Sequence, residues 1–576
     1  MKKVFATLFA AALVAMGCTQ RAQETYSEKE APHLEKRGKV TQLIVGGQPW
    51  LVLGCELGNS TSSSRAYLAP YWQKLKDCGV NTVLAVVSWE QTEPIEGQYD
   101  FTVVDNLLAD ARTGGMKLAL LWFGSWKNGI TSYTPTWVKR DTKRFPLAQT
   151  PEGKPLPILT TLSDTACEAD AKAFAAMMAH LKEVDVQQQT VVMVQMENEV
   201  GLHGHPRDYC PLAEAAYKEP VPQALTDWLT AHRDSLLPET RQAWEAGGYK
   251  TAGTWEEVFR PADRAAELFM AWHYASYMDR ITEAGKQEYA LPVFVNAWIV
   301  QPEDTRPGNY PSGGPQAQNH DIWRAAAPHI DILSPDIYLD DFPTVLSLYA
   351  RSGNPVFIPE SRSGQNGAAN AAYAIGAMGA IGYSPFGFER NCDDDVNVPF
   401  RSFYQKAGRM APLILSAQAE GRIGGAWLKG AEPTRVKDTI RLDDVHIVCE
   451  LISSGMRNVG APQLTGGTYD PEAIGYAIAI RQADDSFLFL GSNVRITFLP
   501  ANGEGILGLA KVTEGDFDEQ GHWVEGRWLN GDEIQLRYDL LYAVSEGFSG
   551  QGLNFGHAEP SFQRVELFRY GEKVSE

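Results

Sequence analysis

Positive charge is scarce in this chain. Its 51 Lys and Arg stand against 71 Asp and Glu, a formal net charge of -20 at pH 7. A surface of that sign repels phosphate backbones and anionic headgroups, which excludes nucleic acid and anionic lipid as main partners. Beyond the N-terminus, no apolar run approaches the roughly 20 residues that a membrane-spanning helix needs. No Cys-x-x-Cys pair occurs. The close histidines His203 and His205 have no spaced Cys, Asp or Glu beside them, so no metal is expected. No glycine-rich phosphate loop follows the first apolar run, which argues against an open dinucleotide-binding sheet. The strand ends read from the sequence carry neither a lysine nor a His/Asp cluster. Barrel aldolases and metal-dependent hydrolases are set aside on that ground.

What is present begins with a processing signal. Lys2 and Lys3 precede an apolar stretch, Val4 to Met16, that is too short to span a bilayer. It closes on Ala15-Met16-Gly17-Cys18, which resembles the bacterial lipobox, with Cys18 as the lipidated residue of the mature N-terminus. A diacylglycerol and an N-acyl chain anchor stably. The expectation is therefore residues 1–18 as a lipoprotein signal peptide and 19–40 as a flexible tether. The rest would be exported and held at a bacterial envelope membrane, on its periplasmic face or outer surface. The remaining cysteines lie mostly inside apolar runs and read as buried free thiols, with Cys210 and Cys392 as loop candidates for a disulfide.

At 576 residues the chain needs more than one core. Eight short apolar runs alternate with helical patterns: 50–56, 82–87, 117–123, 190–194, 292–298, 330–338, 355–360 and 379–386. Helices are predicted over 70–78, 103–113, 165–184, 262–285, 342–351 and 402–420. Such alternation specifies a parallel sheet, and eight units specify a (β/α)8 TIM barrel over 41–400, an α/β fold. An insertion, about 202–261, interrupts it after the fourth strand. Past residue 400, short alternating segments (477–480, 487–490, 496–498, 533–536, 565–568) separated by turns predict an all-β sandwich, which makes 401–576 a second domain.

Function in a parallel barrel sits at the carboxyl ends of its strands. There stand Glu56, Trp89, Glu93, Trp122, Trp126, Asn198, Glu199, Trp298, Tyr338 and Glu360. The fourth run stops in Gln195-Met196-Glu197-Asn198-Glu199 and the seventh in Glu360. Carboxylates at the end of a buried strand are paired or put to use. Two of them across a barrel mouth are the minimal kit for glycosidic hydrolysis: one protonates the leaving oxygen, the other attacks the anomeric carbon or activates water. Tyr338 would stand beside Glu360 and hydrogen-bond it. Period-two alternation puts Glu197 and Glu199 on one side of the strand, so either is a candidate.

Gln195-Met196-Glu197-Asn198-Glu199 resembles the Q-x-E-N-E motif of glycoside hydrolase family 35 β-galactosidases. The stretch from Trp89 to Phe101 is similar to that family's W-x-x-x-E-P-x-x-G-x-Y/F-D-F. Gly54 to Ser60 and Trp122 to Gly129 look like a bacterial subgroup with a C-terminal β-sandwich. The resemblance implies a retaining clan A enzyme with Glu199 as acid/base and Glu360 as nucleophile. Glu56, Trp89, Glu93, Trp122, Trp126, Asn198, Trp298 and Tyr338 would contact substrate, and Glu197 would bind a sugar hydroxyl or an arginine. It further implies exo-acting removal of galactose from oligosaccharide or polysaccharide side chains, without a cofactor. The same glutamates would serve another clan A β-glycosidase (β-glucosidase, mannanase, arabinosidase). A non-catalytic glycan-binding lipoprotein needs the aromatics but not both glutamates.

Overall fold

The computed structural model describes residues 31–432, 434–452, 472–518, 520–536, 548–556 and 559–571. Cys18, the signal peptide and the first part of the expected tether lie outside them. Eight parallel strands close into a barrel: β1 (Val52–Glu56), β2 (Thr82–Ser88), β3 (Lys117–Lys127), β4 (Val191–Asn198), β5 (Val293–Trp298), β6 (Ile332–Ile337), β7 (Ile358–Ser361) and β8 (Gly382–Pro385). β2 is buried along its whole length, as are β1 and β4. Helices cover the outside and side chains fill the inside, so the body of such a strand is mostly apolar. All eight predicted runs are strands of this barrel.

The predicted helices also form, among them Asp164–Asp185, Ala262–Glu288 and Val398–Glu420. Glycines in the left-handed conformation terminate two of them, Gly115 after Thr102–Gly114 and Gly421 after Val398–Glu420. The absence of a Cβ removes the steric cost there. The insertion after β4 folds into short helices (Pro211–Lys218, Gln223–Ala231, Pro238–Ala246, Trp255–Val258). Its Leu225, Trp244 and Trp255 are buried in the same apolar cluster as the barrel strands, so it is a packed part of the barrel.

After the barrel, a six-stranded and a four-stranded antiparallel sheet form the β domain. Phe489, Ile447, Ile496, Phe498 and Phe555, from both sheets, share one core. Two details differ from the sequence expectation. Residues 533–536 are not a strand, because Gly531–Glu533 is a 3-10 turn and Gln535 makes only an isolated bridge to Gln551. The expected tether also ends early: His33–Arg37 pairs with Val40–Val45 in a small sheet that continues to Gln48–Trp50.

Candidate active site

The site follows from what happens at the end of β4. Between Trp122, paired with Met196, and Lys127, paired with Asn198, β3 carries extra residues and bulges. A bulge leaves backbone N–H groups without ladder partners. Glu197 supplies them: its carboxylate accepts from the amides of Gly124 (3.1 Å), Ser125 (2.8 Å) and Trp126 (2.8 Å). Asp170 supports the same bulge, accepting from Trp122 Nε1 (2.8 Å) and Ser125 Oγ (2.6 Å). Gly124 is required here, since a Cβ would lie 2.6 Å from the Asp170 carboxylate. Burial, and Asp170 next to it, push the Glu197 carboxyl well above its ordinary range.

Both glutamates have positive φ, 56° at Glu197 and 45° at Glu199. That conformation costs a non-glycine residue about 1 kcal/mol or more and recurs at functional sites. It also breaks the strand alternation. Glu197 turns toward β3, while Glu199 turns toward the mouth. The expectation that both share one side, and that Glu197 contacts substrate, is therefore corrected: Glu197 holds the bulge.

Asn296 on β5 fixes the other end. Its Oδ1 accepts from the Glu199 amide (3.0 Å), and its Nδ2 donates to Asn198 Oδ1 (3.1 Å) and Asp336 Oδ2 (2.7 Å). Asn198 is fully buried and donates to Asn128 Oδ1 (3.2 Å), so it positions the strand end. Asp336, on β6, is the ladder partner of Glu360 on β7. One carboxylate oxygen each from Glu199, Asp336 and Glu360 lies within 4.8 Å of the others. Tyr338 OH donates to Glu360 Oε1 at 2.7 Å.

Three carboxyl groups at the mouth hold their protons more tightly than an ordinary carboxyl does. Glu199 is pushed up to about 7, first by burial and then by the Glu360 charge, with Lys127 and Asp336 acting in the opposite direction. Glu56 and Asp336 are held well above the usual carboxylate range by burial and then by the charge of Glu360. Among the described residues, neither oxygen of Glu56 nor Oδ1 of Asp336 is reached by a hydrogen-bond donor, although all three are buried. Buried acceptors without donors are costly in a structural setting.

Of the residues predicted to bind substrate, Glu56 and Tyr338 meet Glu199 and Glu360 at the mouth. Trp298, 38% exposed, ends β5 at the rim, with the His203 ring against it at 5.4 Å. Trp89, Trp122, Trp126 and Glu93 are elsewhere. The three indoles are fully buried and give their N–H groups to Glu93 Oε2, Asp170 Oδ1 and the Leu159 carbonyl. Glu93 is bound to Trp89 and to the Gly97 amide. These four are core residues that brace the loops after β2 and β3, not subsite walls. The sequence reading missed Asp336, Asn296, Asn128 and Lys127. The first two carried a visible signal: a polar residue inside an otherwise apolar strand run. The insertion and the loop after β5 border an open cavity of about 1180 Å³ next to the mouth, lined by Gln242, Arg260, Val300, Tyr310, Tyr338 and Leu339 among others.

The TIM barrel thus carries glutamates at the ends of its fourth and seventh strands with oxygens within 4.8 Å, the pair of carboxyl groups that glycosidic hydrolysis uses. One family model agrees. The glycoside hydrolase family 42 model, described as beta-galactosidase, matches residues 62–339. A domain of unknown function (DUF5597) matches residues 400–540. A search of curated proteins returned no match. Among solved structures, the chain is similar to the β-galactosidase of the psychrophilic Marinomonas ef1 at 14% identity, over 66% of this chain and 62% of that one, with a TM-score of 0.43. It is similar to the β-galactosidase of Bacillus circulans sp. alkalophilus at 16% identity, over 64% and 57%, with a TM-score of 0.42. For the catalytic domain of the β-amylase of Paenibacillus polymyxa the values are 11%, 61%, 96% and 0.42. The chain thus spans about three fifths of the length of these two β-galactosidases. Barrel, carboxylate pair and family model together support a clan A glycosidase.

Proposed function

We propose that this chain is a retaining, exo-acting β-galactosidase that removes terminal galactose from oligosaccharides or polysaccharide side chains. The observation that carries the reading is the Glu199–Glu360 pair, with oxygens within 4.8 Å and a proton favoured on Glu199 near neutrality. Retaining enzymes hold their carboxyl groups about 5–5.5 Å apart, whereas inverting ones leave about 6.5–9.5 Å for a water. Glu199 donates its proton to the glycosidic oxygen as that bond breaks. Glu360, oriented by Tyr338, attacks the anomeric carbon and forms a glycosyl ester. Glu199, now ionised, takes a proton from water, which attacks the same carbon and releases Glu360. This exchange of roles requires a carboxyl group poised near the working pH.

The buried carboxyl groups of Glu56 and Asp336 face this pair and would exchange hydrogen bonds with sugar hydroxyls, with Trp298 as an apolar wall. The adjoining cavity would take the leaving group. Galactose is favoured by the description of the matching family model and by the family 35 motifs. Anchoring through Cys18 at the bacterial envelope is part of the same proposal. The test is a panel of aryl glycosides with wild type, Glu199→Gln and Glu360→Gln. Aryl galactoside should be cleaved fastest, and both variants should lose activity. Preferential release from glucoside or mannoside would overturn the sugar assignment, and full activity in Glu360→Gln would overturn the mechanism.

A further inference from the structure

Two buried cysteines outside the catalytic site lie side by side. Cys78 caps the helix Tyr71–Asp77 that follows β1, and Cys392 sits in the loop after β8. Their relative exposures are 4% and 0%. The Cys78 thiol donates to the Cys392 carbonyl oxygen at 3.3 Å, and the Cys392 thiol faces the Glu389 carbonyl oxygen at 4.0 Å. The flanking backbone is already locked. Lys74 pairs with Asp393 at 2.8 Å, Gln405 Nε2 donates to the Asp77 carbonyl at 2.7 Å, and Arg401 donates to the Cys392 carbonyl at 3.4 Å. The other thiols have separate settings: Cys167 on the Tyr277 carbonyl, Cys210 on Asp208, and Cys55 on the Glu56 carbonyl. The sequence candidate Cys210 is therefore not the partner of Cys392.

We infer that Cys78 and Cys392 form a disulfide in the exported protein. The bridge staples the unit after β1 to the loop after β8, where the barrel closes on itself. That loop also carries Glu389, whose carboxylate accepts from the Gly58 amide and Thr61 Oγ1 (both 3.0 Å) and so holds the loop that leaves Glu56. The Cys392 thiol, followed by Arg401, lowers the Cys78 thiol against the upward push of burial, which favours it as the attacking thiolate. It attacks a disulfide of the compartment, from a dithiol oxidase or glutathione, to give a mixed disulfide. The Cys392 sulfur loses its proton and displaces the carrier. Two protons and two electrons leave the cysteine pair, and the oxidant's disulfide becomes two thiols. The step needs an oxidising compartment, which the leader peptide predicts.

The test is peptide mapping of the full chain recovered from the cell envelope without reductant, with thiols blocked during denaturation. A Cys78–Cys392 linked peptide is expected, with Cys55, Cys167, Cys210 and Cys449 blocked. Blocking of both Cys78 and Cys392, or a Cys55–Cys392 link, would overturn the inference. As a second readout, reductant should lower the Tm of wild type by a few degrees and leave that of Cys78→Ser unchanged. Equal reductant sensitivity in both proteins would count against the bridge, and the mapping stands even if the variant fails to fold.

Discussion

Replacing Glu199 by Gln should stabilise the protein at alkaline pH while abolishing catalysis. Glu199 is buried and its carboxyl is raised from the ordinary 4.5 to about 7. The folded state therefore holds this proton more tightly than the unfolded chain does. That preference is fully present below pH 4.5 and is lost as pH rises through 7. Between 4.5 and about 7, at about 1.36 kcal/mol for each pH unit, wild type loses about 3 kcal/mol by pH 8. A glutamine is neutral throughout and escapes the loss. For a cooperative unit of this size, that corresponds to a Tm about 3 °C higher for the variant. The assay is thermal unfolding of wild type and Glu199→Gln at pH 4.5 and pH 8. The Tm difference should be near zero at the lower pH and in favour of the variant at the higher. A difference independent of pH, or one favouring wild type at pH 8, would refute the assignment of a buried, proton-holding Glu199.

Lys127→Met removes the cation that lowers Glu199, so the alkaline limb of the kcat/KM profile should move up by about one pH unit; a limb that stays put or moves down contradicts the coupling. Glu197→Ala leaves the buried amides of Gly124, Ser125 and Trp126 without acceptors, at about 1–3 kcal/mol each. It should fall well below Glu199→Ala in Tm, and the reverse order would restore Glu197 as a site residue. Trp126→Ala should cost about 3–5 kcal/mol of stability, whereas Trp298→Ala should raise KM and leave Tm nearly unchanged, both read by paired melting and steady-state kinetics.

The barrel was legible because its strands are buried on both faces and are therefore apolar over most of their length, as in residues 83–87 of β2 and 191–194 of β4. The carboxylate pair at the mouth was legible for a related reason: a carboxylate that stops such a run has few structural uses. What stayed hidden depends on backbone detail. Nothing in Glu197-Asn198-Glu199 announces two positive φ values, so strict alternation put both side chains on one side. Nothing in the run ending at Phe123 announces a bulge that carries β3 on to Lys127, so a strand-end cation went unread. Asp336 and Asn296 are single polar residues within apolar strands, conspicuous only once both are seen to face Glu199 and Glu360. Tryptophan at a strand end serves a core as well as a sugar platform. Trp298 is partly exposed, while Trp89, Trp122 and Trp126 are fully buried.

The central claim is that Glu360 forms a covalent bond with the sugar. An activated 2-deoxy-2-fluoro-galactoside tests it directly, because the fluorine slows both steps while the good leaving group keeps the first one running. Incubation should inactivate the enzyme, add one fluorogalactosyl unit, and place it on the peptide that contains Glu360. A label on Glu199 or Glu56, or hydrolysis with inverted stereochemistry and no label at all, would contradict the account.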